Sequence, residues 1–337
     1  MAAKTYCVTG VAGFLGSHLA DRLLADGHRV IGIDNLIGGY QDNVPLGVEF
    51  HNLDLINRDQ IVPLLRGVDV VYHCAATAYE GLSVFSPHLV TQNVYGITTS
   101  LMSAAVSAGV RRFVLCSSMA RYGTQETNPF TEDMIPMPQD PYGIAKYASE
   151  LTVANLAQTH GMEYAIAVPH NIIGPRQKYD DPFRNVASIM INLMLQGRQP
   201  IIYGDGEQVR CFSFVDDVVE PLMILGESPD VVGEIINVGP DEGSVTVNEL
   251  ARVIARLLDF DSNPQYMPGR PQEVRHATCS AEKARRLLGY KTTVGLEAGL
   301  GKMIDYIKTR GAKPFSYHLS LEIESDLTPR TWKDRLF

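Results

Sequence analysis

Short apolar runs rich in Val and Ile alternate along the first half of the chain with longer segments of helical spacing. TYCVT precedes SHLADRLLADG, RVIGID follows it, and VDVVYHCAA and RFVLCSS bracket TTSLMSAAVSAGV. Strands that are apolar at nearly every position are buried on both faces, and their alternation with helices predicts a parallel sheet between two helical layers. The expected fold is therefore α/β, a doubly wound parallel sheet.

After about residue 170 the rhythm breaks into loop-rich stretches, NIIGPRQKYDDP, YGDGEQVR and MPGRPQEVRH, separated by helical segments such as RNVASIMINLMLQG and VNELARVIARLLD. Loops of this kind on a rigid scaffold commonly bind ligands. FVDDVVEPLMIL and EIINVG return to helix and strand character, so the expected division has residues 1–170 as a first domain that takes back 208–240. Residues 171–207 and 241–315 would form a smaller mixed α/β lobe. Residues 316–337 read as a strapping tail holding the single tryptophan, Trp332.

Composition narrows the class. A chain of 337 residues, 45% hydrophobic and 20% charged, can bury a substantial core. Its net charge of −9 offers no general basic footprint for nucleic acid or an anionic membrane. Cys7, Cys74, Cys116, Cys211 and Cys279 are scattered and odd in number, which suggests neither a zinc site nor a disulfide framework. Nine histidines likewise lack metal-binding spacing. With no leader-like start and no long apolar run, a cytoplasmic location is expected.

The first chemical signal is VTGVAGFLGSH, which places Gly10, Gly13 and Gly16 between a strand and a helix. Glycines allow the tight turn and close approach of a pyrophosphate, to which the helix N-terminus presents N–H groups. Asp34 closes the next strand eighteen residues after Gly16. An acid there accepts hydrogen bonds from ribose hydroxyls and repels a 2′-phosphate, favouring NAD over NADP.

The second signal is PYGIAK. Tyr142 and Lys146 lie four apart and share a face if the segment is helical. A neighbouring ammonium favours phenolate; moving a phenol from about 10 to about 7 requires about 4 kcal/mol of differential stabilisation. Such a tyrosine would remove a hydroxyl proton while hydride leaves the same carbon. Ser118 or Ser117 would hydrogen-bond the reacting oxygen from the end of RFVLCSS.

The spacing Gly-x-x-Gly-x-x-Gly, followed by NLDL, HCAA and Asn93, resembles the extended short-chain dehydrogenase/reductase family over residues 4 to about 308. That resemblance implies a Rossmann NAD-binding domain, with Gly10, Gly13, Phe14, Leu15, Gly16, Asp34, Asn35, Asp54, Leu55, Ala75, Ala76 and Asn93 at the cofactor. Tyr142 and Lys146 are expected to touch it also. His170 is expected beside the cofactor or as a packing group. The chain is most similar to nucleotide-sugar epimerases and dehydratases, and NIIGPRQ, YGDGEQVRCFSFVDDVV and GRPQEVRHA carry the similarity. It implies that Asn171 and Asn185 meet the sugar-nucleotide, Arg210 and Arg270 its phosphates and Glu273 its ribose; a homodimer through helices around 93–108 and 143–160 is also implied. Guanidinium groups suit phosphate.

Met119 and Ala120 follow Ser118 where the resembling dehydratases carry an Asp-Glu pair, and neither residue transfers protons. Epimerisation at C4 needs only hydride out and back, so an NAD-dependent UDP-sugar 4-epimerase is expected, with UDP-glucose or UDP-glucuronate as substrate. The alternatives are UDP-N-acetylglucosamine, a dehydratase or oxidoreductase reaction with an acid from elsewhere, or a non-catalytic NAD-sensing protein. The resemblance to 4-epimerases further implies that Ala277, four residues after Glu273, borders the sugar's C2 and leaves room there. Lys178 and Arg184 either meet a C6 carboxylate or pair with Asp180 and Asp181, an acidic pair expected in a solvated loop.

Overall fold

A computed structural model describes residues 3–337. Its centre is a sheet of seven strands: β1 (Thr5–Thr9), β2 (Arg29–Asp34), β3 (Glu49–Asn52), β4 (Val70–His73), β5 (Arg112–Cys116), β6 (Glu163–Pro169) and β7 (Ile235–Val238). All pair in parallel, in the order β7-β6-β5-β4-β1-β2-β3. The unbroken apolar character of β1 follows from its position between two cores: Tyr6 and Val8 pack in one, Cys7 in the other. Strand order reverses between β1 and β4, which opens a crevice at their C-terminal ends, the usual ligand position in such sheets.

The second lobe has its own core, in which helices Val186–Leu195, Val247–Leu258 and Leu296–Arg310 pack together. Small sheets tie its loops. Val209–Arg210 pairs with Val245–Thr246 and His276–Ala277, and Ile201–Tyr203 pairs with Gln265–Met267.

The chain's passage between lobes differs from the sequence reading in detail. Helix Asp216–Glu227 and β7 do lie with the large sheet, but residues 209–210 belong to a small sheet of the second lobe. Conversely, Ala281, Ala284, Leu288 and Tyr290 pack in the core of the first lobe. The apolar side of helix Glu282–Leu288 finds its cover against β7 and helix Asp216–Glu227. The tail runs back over the cavity mouth: Trp332 is buried with Tyr79, Phe85 and Phe183, and its Nε1 donates to the Pro182 carbonyl at 3.0 Å.

Candidate active site

A cavity of about 490 Å³ runs from the glycine turn after β1 to the loops of the second lobe. At one end Gly10 has φ +72°, and a Cβ on it would stand 2.9 Å from the Ala75 backbone; a Cβ on Gly16 would run into the Gly10 carbonyl. Only glycine permits this approach. Helix Phe14–Ala25 has no side-chain cap and no acid in its first turn, leaving its N-terminal dipole open to an anion. Asp34 accepts from the Ala12 and Leu36 backbone N–H groups at 3.0 and 2.7 Å, and burial pushes its carboxyl up against those bonds. Asn35, Asp54, Leu55, Ala75, Ala76, Asn93, Phe14 and Leu15 line the same end with Gly13. This cradle, open at backbone donors and closed by an acid, fits a dinucleotide.

Midway along the cavity stand Ser118, Tyr142 and Lys146. Asp140 caps their helix, Pro141–His160, by accepting from Gly143 N at 2.9 Å, and Pro141 supplies a fixed φ at its first turn. The Lys146 ammonium donates to the Cys116 carbonyl at 2.8 Å and faces the Tyr142 ring at 5.9 Å. Burial, reinforced by Glu80 and Asp140, pushes the Tyr142 phenol above its ordinary value, while Ser118 and Arg184 pull it down. Burial pushes the Lys146 ammonium down. Burial is the largest of these influences on the phenol, and Lys146 is not among them.

The two serines, both on the cavity wall, differ in their neighbours. Ser117 donates to Glu150, itself paired with Arg121 at 3.0 Å, and all three are buried. Ser118 retains a hydroxyl on the cavity wall, where it accepts from Ala120 N at 3.2 Å.

At the far end the cavity meets Asn171, Asn185, Arg210, Arg270 and Glu273. Arg210 is held by the Val274 carbonyl at 2.6 Å, whereas Arg270 pairs with Glu273 at 2.9 Å and lies over the Tyr203 ring at 5.2 Å. Asn185 caps helix Val186–Leu195 through Ala187 N at 2.9 Å.

Three expected site residues do not line the cavity, and one lines it in another role. His170 is buried with Nε2 2.9 Å from the Pro240 carbonyl, a packing role. Ala277 sits in the second core of the large sheet, since its strand pairs with Arg210 and turns its methyl inward. Lys178 is 3.3 Å from Asp180 and lies over Tyr40 at 4.6 Å. Arg184 reaches the cavity, but Asp181 lies 3.7 Å away, the Gly38 carbonyl accepts from it at 2.8 Å and the Tyr79 ring lies beneath it at 4.8 Å. Asp181 is fully buried rather than solvated, accepting from the Tyr79 hydroxyl at 2.7 Å.

Sequence reasoning missed Glu80, Asp140, Gln177, Tyr203, Trp332 and Phe337, all on the cavity wall. The dipeptide Asp140-Pro141 is a helix-start signal that points to Asp140. Gln177 and Tyr203 stand within NIIGPRQ and YGDGEQVR, and Trp332 is the single tryptophan of the tail; nothing local distinguishes Glu80 or Phe337. His73, by contrast, bridges Thr9 and Thr98 at 2.8 and 3.0 Å, and burial pushes it down to about 3. No metal-binding cluster occurs among the described residues, and no helix there is long and apolar enough to cross a membrane.

A Rossmann sheet whose crevice joins a glycine turn to a Tyr-Lys-Ser group defines an NAD-dependent enzyme of the short-chain dehydrogenase/reductase class. Residues 6–239 match the model of the NAD dependent epimerase/dehydratase family, and the chain belongs to that family. It is 34% identical over 313 residues to a UDP-glucose 4-epimerase of Mycolicibacterium smegmatis, covering 90% of this chain and 98% of the other. It is 33% identical to UDP-glucuronic acid decarboxylase 1 of Xenopus tropicalis, covering 90% and 72%. Among solved structures, UDP-glucose 4-epimerase from Thermotoga maritima with UDP-glucose superposes with a TM-score of 0.85 at 32% identity, covering 91% and 99%. The protein is an enzyme of the NAD-dependent UDP-sugar epimerase and decarboxylase family, and its cofactor is NAD.

Proposed function

We propose that this protein is a UDP-sugar 4-epimerase, interconverting a UDP-hexose and its C4 epimer through a 4-keto sugar. The observation that carries the reading is the joining in one cavity of Ser118, Tyr142 and Lys146 to Arg210 and Arg270, with Met119 and Ala120 where an acid pair would serve a dehydratase. NAD, when bound in the glycine-turn cradle, supplies a hydride acceptor that becomes the donor on return. Tyr142 takes the C4 hydroxyl proton and gives it back, and Ser118 holds that oxygen. Lys146 keeps positive charge beside the phenol. Arg210 and Arg270 hold the diphosphate while the keto-sugar turns its other face.

Glu80 favours a second reading, a dehydratase or decarboxylase, because it puts a carboxyl on the wall of this cavity from another element. The test is incubation of the NAD-loaded protein with UDP-glucose and UDP-glucuronate and NMR of the product. UDP-galactose supports epimerisation; a 4-keto-6-deoxy sugar or a pentose supports the second reading and ends the first.

Exposed Ile144 and Leu151, two turns apart on helix Pro141–His160, support a homodimer. Sedimentation of a Leu151→Glu variant as a monomer beside a dimeric wild type is the expected result.

A further inference from the structure

Glu80 lies between two anchored neighbours. Tyr79 is buried with its hydroxyl on Asp181 at 2.7 Å, and a Cβ on Gly81 would stand 3.3 Å from Arg270 Nη1 and 3.4 Å from Trp332 Cη2. Three residues on, the Ser83 hydroxyl donates to the Glu80 carbonyl at 2.6 Å and lies 3.3 Å from Asp140, the cap of the Tyr142 helix. So clamped, Glu80 is turned into the cavity, and its carboxylate takes part in none of the ion pairs among the described residues. Its field acts on Tyr142 at one end and is felt from Arg210 and Arg270 at the other. A sugar joining a diphosphate on those arginines to Tyr142 must pass it.

We propose that Glu80 is a specificity-determining residue: it accepts hydrogen bonds from sugar hydroxyls and rejects a hexuronate, selecting a neutral UDP-hexose. This rests on the UDP-sugar reading above. Of two cations that would welcome a carboxylate, Lys178 is paired with Asp180 outside the cavity, and Arg184, on its wall, gives Nη2 to the Gly38 carbonyl and stands 3.7 Å from Asp181, with Nε left without a hydrogen-bond partner. Asp140 and Glu273 add negative charge on the same wall, so a uronate entering would add to a group of like charges in a confined, poorly screened space. The surrounding walls and Asp140 push the Glu80 carboxyl up against the pull of Arg210 and Arg270, although the residue keeps an exposed face.

The experiment compares wild type and Glu80→Gln, both NAD-loaded, for kcat/KM and for calorimetric affinity with UDP-glucose and UDP-glucuronate. Wild type is expected to favour UDP-glucose by about tenfold or more, and the amide, which keeps the shape and loses the charge, to shrink that preference by about tenfold. An unchanged ratio, or a wild-type preference for UDP-glucuronate, overturns the proposal. So does loss of turnover on UDP-glucose at unchanged affinity for both ligands, which makes Glu80 a proton-transfer group. If neither sugar is turned over yet the affinity ratio shifts as stated, the epimerase reading fails and the role of Glu80 stands.

Discussion

Lys146 donates its hydrogen bond to the carbonyl of Cys116 at 2.8 Å, and its Nζ stands 5.9 Å from the centre of the Tyr142 ring. The ammonium is therefore fixed by the end of β5, on the same helix face as the phenol. Tyr142→Phe is expected to lower turnover by about 10²–10⁴-fold, the range for losing a positioned acid/base. NAD retention should be unchanged, as read by cofactor released on denaturation. A variant keeping more than about a tenth of the rate would remove Tyr142 from that role.

Hydride that leaves and returns within one closed cavity stays with its sugar. Using UDP-glucose deuterated at C4, the epimer should carry the label at C4, read by NMR and mass spectrometry. Washout to solvent would mean that carbon acidity, not hydride transfer, makes and breaks the C4–H bond.

The Arg121–Glu150 pair is buried on both sides, with side chains 3% and 2% exposed, and it also receives Ser117. Removing one partner strands a buried charge, so Glu150→Ala is expected to cost about 3–5 kcal/mol in denaturant unfolding. Glu150→Gln, which still accepts from Ser117, should cost less. If alanine is neutral, the pair does not hold the β5 end in place.

Trp332 is 5% exposed and its indole N–H is satisfied by Pro182, while Tyr203 bonds Thr331 beside it. Trp332→Ala should destabilise by about 3–5 kcal/mol. It should also raise KM for the UDP-sugar more than it lowers kcat, because the indole walls the substrate end and not the nicotinamide end. Equal loss of kcat with KM unchanged would contradict that placement.

Glu80 also predicts a pH dependence. Its carboxyl is held at about 7 in the folded protein against an ordinary 4.5, so the folded state binds the proton more tightly. The contribution to stability is present below 4.5 and is lost as pH rises through about 7. Melting temperature of wild type relative to Glu80→Gln should fall across that window, and a constant difference would refute the perturbed carboxyl.

Local pattern was enough to read the parallel sheet, the glycine turn with Asp34 and the Tyr142–Lys146 face, because each rests on short-range rules: burial on both faces, glycine's freedom at Gly10 and the helical repeat. It also put Arg270 on a loop of the second lobe, whereas Arg210, assigned to the first domain by the sequence pattern, was drawn into the second lobe by pairing with Val245 and Ala277. What it left open depended on partners distant in the chain. Ser117 and Ser118 are indistinguishable until Glu150, on another helix, takes the first. Lys178 could pair with a ligand or with Asp180 until folding put Tyr40 beneath it and Asp180 beside it. Ala277 stands four residues after Glu273, but its strand pairs with Arg210 and it packs in the core instead of the pocket. Glu80 has no motif at all; only Asp181, Arg270 and Trp332 beside its neighbours, from three remote segments, set it on the cavity wall.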